Sequence, residues 1–293
     1  LAHRPTKGFH DVDDRLFSRG GFHRLDYALP SVDVSYSSPL LQRAGAAEHQ
    51  DATVLDAQGV AWHYGNPLGE QRAAETGTIA IDRSQRRVLR VSGADAPGFL
   101  NNLLSQKLDD APSGFSAGAL DLDIQGHILH HMDITRAGED LYLDLPAAQF
   151  ESAQDFLTKM VFWSEVTVEE ADIAIATLLG EADIPTPPTV VFSREVQWPG
   201  IKRVDLAVPR EKLVESMAAL EAEGARLAGL MAFTAERVRA REPELAADLD
   251  NKSIPHEVPQ WISRSDANPA HVHLNKGCYR GQETVARVEN LGR

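Results

Sequence analysis

Polar and apolar residues alternate through residues 87–92, Arg-Val-Leu-Arg-Val-Ser, as in a strand with one buried face. Asp95 then precedes Ala-Pro-Gly-Phe-Leu, and Phe99, Leu100, Leu103, Leu104 and Leu108 recur at helical spacing, so an amphipathic helix capped by Asp95 is predicted. Strand-like runs at 118–123 and 127–135 flank Ile124-Gln125-Gly126, where glycine permits a tight reversal, and together they read as a hairpin. A third strand at 141–145 leads into a helix over 147–162, with Phe150, Ala153, Leu157, Met160 and Val161 on one face.

A similar order recurs further on. Strands at 166–169 and 173–179, a proline-rich loop at 185–188, and strands near Val190 and Val204 precede a helix over 211–223 closed by Gly224. A last helix over 233–241 should stop at Glu242-Pro243, because proline disfavours helix in the residue before it. The remainder reads as extended segments and loops. This gives an α+β protein in four parts: an extension with little fixed structure (1–45), a first α+β subdomain (46–165), a second (166–230) and a return segment (231–293).

Composition narrows the function classes. Hydrophobic residues make up 43% of the chain, enough for a sizeable core, and the apolar runs at 173–179 and 189–192 are far shorter than a membrane helix requires. Against 29 Lys and Arg stand 43 Asp and Glu, and the net charge of -14 repels phosphate backbones, so neither nucleic acid nor membrane is an expected partner. Cys278 is the one cysteine, which rules out an intramolecular disulfide and suits the cytoplasm. The start at Leu1 and the abrupt end at Arg293 read as a piece of a longer protein.

The densest chemistry surrounds that cysteine, in Lys276-Gly-Cys-Tyr-Arg-Gly-Gln-Glu283, with Arg287 beyond it. Flanking cations Lys276 and Arg280 favour the reactive thiolate, Gly277 and Gly281 let backbone amides approach a ligand, and Gln282 and Glu283 supply acceptors and donors. The bland alternative is an inert cysteine in a basic turn. His271 and His273, two apart on an extended segment, are weak metal candidates beside Cys278. His130 and His131 point to opposite faces of their strand and read as ordinary surface and core residues. Phe162 and Trp163, at a helix end, read as core or as walls of a cavity.

The stretch from Lys276 to Glu283, including Tyr279, resembles the signature of the YgfZ family of glycine-cleavage T-protein relatives. Val91-Ser-Gly-Ala-Asp95 with Phe99-Leu100, Asp123-Ile-Gln-Gly126 and Ile254-Pro-His-Glu257 are similar to other segments of that family. The resemblance implies a T-protein/YgfZ-like fold, two ferredoxin-like α+β subdomains around a central cavity, that binds tetrahydrofolate and serves iron–sulfur client or assembly proteins through a required Cys278, with transient cluster contact. By family position or chemical type, Asp123 and Glu257 would meet the pterin and Arg239 the glutamate tail. Two departures stand out: His127 occupies a position where Arg or Lys is usual, and the family's C-terminal β-barrel is absent. Four thiolates usually hold a cluster, so one cysteine points to a shared ligand, sulfur or disulfide exchange, or reaction with a one-carbon unit. The accessory role leans away from turnover; the alternatives are a folate-dependent aminomethyltransferase and a His/Cys metal or redox module.

Overall fold

The computed structural model describes residues 36–50, 56–264 and 270–292. In chain order these form α1 (Pro67–Thr76), β1 (Thr78–Asp82), β2 (Arg87–Ser92), α2 (Ala96–Leu103), β3 (Ser116–Leu122), β4 (Ile128–Ala137) and β5 (Asp140–Leu145). There follow α3 (Ala147–Met160), β6 (Thr167–Ala171), β7 (Ile173–Gly180), β8 (Phe192–Val196), β9 (Arg203–Pro209), α4 (Leu213–Ala222) and β10 (Arg226–Ala228). The chain continues through α5 (Leu230–Ala240), α6 (Leu245–Asp248), β11 (Ile262–Ser263), β12 (Val272–His273) and α7 (Gln282–Leu291).

The α+β expectation holds. One five-stranded sheet has the order β3-β4-β5-β2-β6 and a second has β10-β1-β7-β9-β8; neither closes into a barrel among the described residues. The strand expected to open the second subdomain, β6, instead pairs antiparallel with β2, from Val88 opposite Ala171 to Ser92 opposite Thr167. Conversely, β1 precedes the first sheet in sequence but pairs with β7 of the second. The crossing follows from burial. All five β1 residues, Thr-Ile-Ala-Ile-Asp, are buried, which suits an interior strand covered on both faces.

Strand alternation sorts the side chains between layers. Leu89, Val91, Met132, Ile134, Leu141 and Leu143 of the first sheet pack under α2 and α3 with Phe99, Leu100, Phe150 and Leu157. From the opposite face, Val88 and Tyr142 meet Ile173, Ile175, Phe192 and Ala207 of the second sheet. The second sheet's other face packs on α4 through Ala174, Ala176, Leu206 and Val208 against Leu213, Met217 and Leu220.

Three expectations are corrected here. The extension was expected to run to residue 45; its residues 1–35 lie outside the described residues, but Pro39–Gln42 forms a 3-10 turn whose Leu40 is buried in the second sheet's core. Phe162 and Trp163 are neither core nor cavity wall: they are 75% and 98% exposed, because Phe162 takes a left-handed φ of 42° and swings the chain off α3. The stretch after the helix expected over 233–241, read as extended segments and loops, holds a further helix, Gln282–Leu291. Val285 is its one buried residue, with Val288 and Leu291 following at helical spacing.

Candidate functional site

The cysteine loop is built against the first sheet. Lys276 reaches back to the end of α2, where its ammonium donates to the carbonyl oxygens of Leu104, at 2.6 Å, and Asn101. A cation there also answers the negative end of the helix. Its Nζ lies 4.5 Å from the centre of the buried Tyr279 ring. Burial pulls Lys276 down to about 8, against an opposing attraction from Asp109. Arg280 donates to Asp121 Oδ1 at 2.6 Å and lies over the Phe156 ring. Asp121 is fully buried and also meets His130 Nδ1 at 2.8 Å, while His130 Nε2 meets Ser152 Oγ.

Gly281 closes the loop with a φ of 80°, and a Cβ there would stand 2.6 Å from the Asp123 carbonyl oxygen. The β3–β4 turn therefore docks directly on the start of α7, and only glycine fits the contact. Gly277 has open space where a side chain would go, so no neighbour requires a glycine there. Glu283 and Arg287 form an exposed pair at 2.9 Å one helical turn apart, and Gln282 begins α7. Amid these inward anchors, Cys278 is exposed. Lys276 is hydrogen-bonded to carbonyls, with Asp109 and Cys278 among the groups that attract its charge, and Arg280 is paired with Asp121.

The residues expected to hold folate do not come together as one site. Asp123 organises its own turn: Oδ1 accepts from the backbone N–H of Gln125 and His127, and Oδ2 meets His127 Nδ1 at 2.9 Å. Glu257 accepts the Ile254 N–H within its own 3-10 turn. Arg239, on α5, donates to Glu75 of α1 and to Glu236.

A second constellation lies on the face of β4 opposite His130. His131 Nε2 and His271 Nε2 are 2.8 Å apart, and Glu242 Oε1 stands 3.7 Å from His271 Nε2. The Trp261 indole flanks both imidazoles, with ring centres 4.7 and 4.8 Å away, and its N–H donates to Glu242 Oε1 at 3.0 Å. Gly118 makes the room: a Cβ on it would fall 2.1 Å from the His271 ring. Ser105 fixes the strand by donating to the His271 carbonyl, and Arg241, left-handed at φ 58°, ends α5 and delivers Glu242. Burial lowers His131 to about 4 and His271 well below its usual value, so both are neutral near pH 7. Burial raises Glu242 to about 7, partly offset by the Trp261 hydrogen bond. His273, expected to act with His271, is buried with its backbone N–H on the Ser105 carbonyl, and it does not join the cluster.

Next to His131 along β4, Asp133 enters a buried charge network between the sheets. Asp205 meets Arg203 at 2.6 Å, Arg194 at 2.9 Å and Arg83 at 3.6 Å, and Asp144 meets Arg194 and Arg86, each at 2.5 Å. Burial pushes Asp205 up, but Arg203, Arg194 and Arg83 more than offset it and hold its carboxyl well below the usual range. On the helix side of the first sheet, a cleft of about 460 Å³ is lined by Asp95, Gly98, Phe99, Asn102, Leu103 and Met160. None of the groups just described lines it.

The layered architecture has a counterpart among solved structures. The glycine cleavage system aminomethyltransferase T from Bartonella henselae superposes with a TM-score of 0.69, covering 85% of this chain and 73% of that one at 18% identity. The fold is that of the T-protein. No family model matches the sequence. An aminomethyltransferase of Xanthomonas oryzae pv. oryzae is 25% identical over 226 residues, 67% of this chain. A candidate chloroplastic transferase of Arabidopsis thaliana is 21% identical over 291 residues, 90% of this chain. The chain spans 61% and 63% of the lengths of these two curated relatives. Among the described residues no helix is long and apolar enough to cross a membrane.

A T-protein fold raises folate as a ligand, and the residues present can be tested against it. A pterin is a flat hydrogen-bonding ring that needs an aromatic or apolar wall and a carboxyl group. Trp261 and Glu242 supply that pair, and the His271 Nδ1 beside them is buried without a hydrogen-bond partner among the described residues. Asp123 and Glu257 are each hydrogen-bonded within their own turns, whereas Glu242 is the carboxyl group beside the Trp261 ring.

Proposed function

We propose that this chain is a tetrahydrofolate-binding protein of the T-protein fold that acts on partner proteins through Cys278, in the assembly or maintenance of iron–sulfur clusters. The observation that carries this reading is the orientation of the cysteine loop. Lys276, Tyr279 and Arg280 all spend their side chains on the body of the first sheet, while the sulfur between them faces out. A thiol serving a small substrate gains from enclosure; one serving another protein must be reachable. The YgfZ-like signature supports the same reading, and so does the arithmetic of thiols. A single thiolate cannot hold a cluster by itself, so it exchanges with, or lends one ligand to, a client. A reducing compartment such as the cytoplasm keeps that thiol available.

One observation favours a second reading, a folate-dependent aminomethyltransferase. Glu242 is a carboxyl group raised to about 7, the range in which a side chain both takes and gives a proton near neutrality, and the Xanthomonas relative is named for that activity. Calorimetric titration of tetrahydrofolate into the full chain, comparing wild type with Cys278→Ala and Glu242→Gln, tests both. The accessory reading expects equal binding in wild type and Cys278→Ala and weakened binding in Glu242→Gln. Absence of binding in the wild type would remove folate from the account. Methylene transfer to folate that survives Cys278→Ala but not Glu242→Gln would put the enzyme reading first.

A further inference from the structure

We propose that His131, His271 and Glu242 form a binding site for one divalent cation of the zinc class. The site goes beyond the folate reading, since Glu242 serves one occupant at a time and the cation needs no folate. It also differs from a grouping of His271 with His273 and Cys278, because the partners of His271 come from β4 and from the end of α5.

The donor atoms converge as a metal requires. One ligand atom from each residue lies within 4.8 Å of the other two. The two imidazoles meet nitrogen to nitrogen at 2.8 Å, and the carboxylate oxygen stands 3.7 Å from His271 Nε2. A tetrahedral zinc with bonds of about 2.0–2.1 Å sets its ligand atoms about 3.3 Å apart, midway between these two separations. These two separations ask for shifts of about half an ångström, opening the nitrogen pair and drawing in the carboxylate, and the third pair, His131 and Glu242, within 4.8 Å, must close further. A set of two nitrogens and one carboxylate oxygen suits zinc and its neighbours rather than magnesium or calcium, which prefer oxygen alone. Three protein ligands leave a fourth position open to water or substrate.

The surroundings hold the donors in place. The Trp261 N–H fixes Glu242 Oε1 and its indole flanks both imidazoles, the kind of outer support that orients metal ligands. Gly118 vacates the space the His271 ring occupies, and Ser105 fixes the backbone that carries it. Without the ion, the nitrogen pair can be satisfied only by one shared proton, which the cation replaces.

The test uses the full chain, stripped of metal with a chelator, and Zn²⁺ or Co²⁺ alone as probe. Calorimetry should give one equivalent of Zn²⁺, and Co²⁺ should produce the intense visible absorption of a four-coordinate ion. His131→Ala, His271→Ala and Glu242→Gln should each weaken binding by about tenfold or more, while His256→Ala, at a histidine paired with Glu289, should not. Glu242→Gln preserves shape and circular dichroism verifies the fold of each variant, so a loss there reports on the ligand. No binding, binding indifferent to these three substitutions, or binding lost instead on substituting Cys278 would each overturn the proposal. Because no folate is present, its failure would leave the folate reading standing, and the converse holds.

Discussion

The cysteine loop and the histidine cluster flank the same β3–β4 hairpin and are built on opposite plans. In the loop, Lys276 reaches the end of α2, Tyr279 is buried and Arg280 meets Asp121 of β3, while Cys278 between them is exposed. In the cluster, residues from β4, from the end of α5 and from the start of β12 turn their polar atoms towards one another, away from water. The first plan makes a reactive group reachable by something large. The second gathers half-buried donor and acceptor atoms at one point, where an occupant must satisfy several at once. A thiol facing out and a donor set facing in are separable devices, and substitutions should separate them.

The largest effect should come from below the cluster. Asp205→Ala leaves Arg83, Arg194 and Arg203 short of a shared partner. It should cost about 3–5 kcal/mol, read by urea unfolding, because an uncompensated buried charge remains. Gly118→Ala is the sharper instrument against the cluster. Its Cβ would displace the His271 ring, at a cost of about 1–3 kcal/mol, and calorimetry should show weaker Zn²⁺ binding while the rate of Cys278 alkylation stays that of wild type.

The mirror experiment is Gly281→Ala. A left-handed backbone and a clash with the Asp123 carbonyl oxygen should cost about 1–2 kcal/mol and change the alkylation rate of Cys278, with Zn²⁺ binding intact. A result in which either glycine variant disturbs both regions equally would merge them into one site.

The smallest effect concerns pH. Burial lowers Lys276 from 10.5 to about 8, so between those values the folded chain binds fewer protons than the unfolded one. Stability then rises with pH across that window and the contribution is lost as pH falls through about 8. Lys276→Met should flatten that slope in urea titrations at a series of pH values.

The loop was legible in the sequence because its residues are contiguous: glycines, cations and a cysteine within eight positions announce a built turn. Its roles were less legible. The sequence shows Lys276 beside the thiol but not the two carbonyl oxygens that α2 places at its tip. The cluster was hidden for the opposite reason. His131, Glu242 and His271 are separated by more than a hundred residues and then by about thirty, and each looks ordinary by itself: a strand histidine, an acid before proline, one of a histidine pair. The available signal was Gly118, a glycine inside a strand, which often marks the close approach of another group.

Most helices and strands of both α+β units were readable from period and punctuation, but α1, β1 and β10 were not. Nor was the units' exchange of β1 and β6, because strand pairing is settled by which faces are buried and not by order along the chain. Phe162 and Trp163 misled in the same way: apolar residues at a helix end imply burial, but a left-handed turn put both outside.

The central claim is that this fold holds one thiol outward for another protein to reach. Alkylation of Cys278 in the native full chain, timed against the same chain in urea, tests it most directly. The account predicts one equivalent labelled at a rate within about tenfold of the unfolded chain, because no local opening is needed. Protection of about a hundredfold or more would mean that the sulfur is enclosed, and the case for a protein partner at Cys278 would be lost.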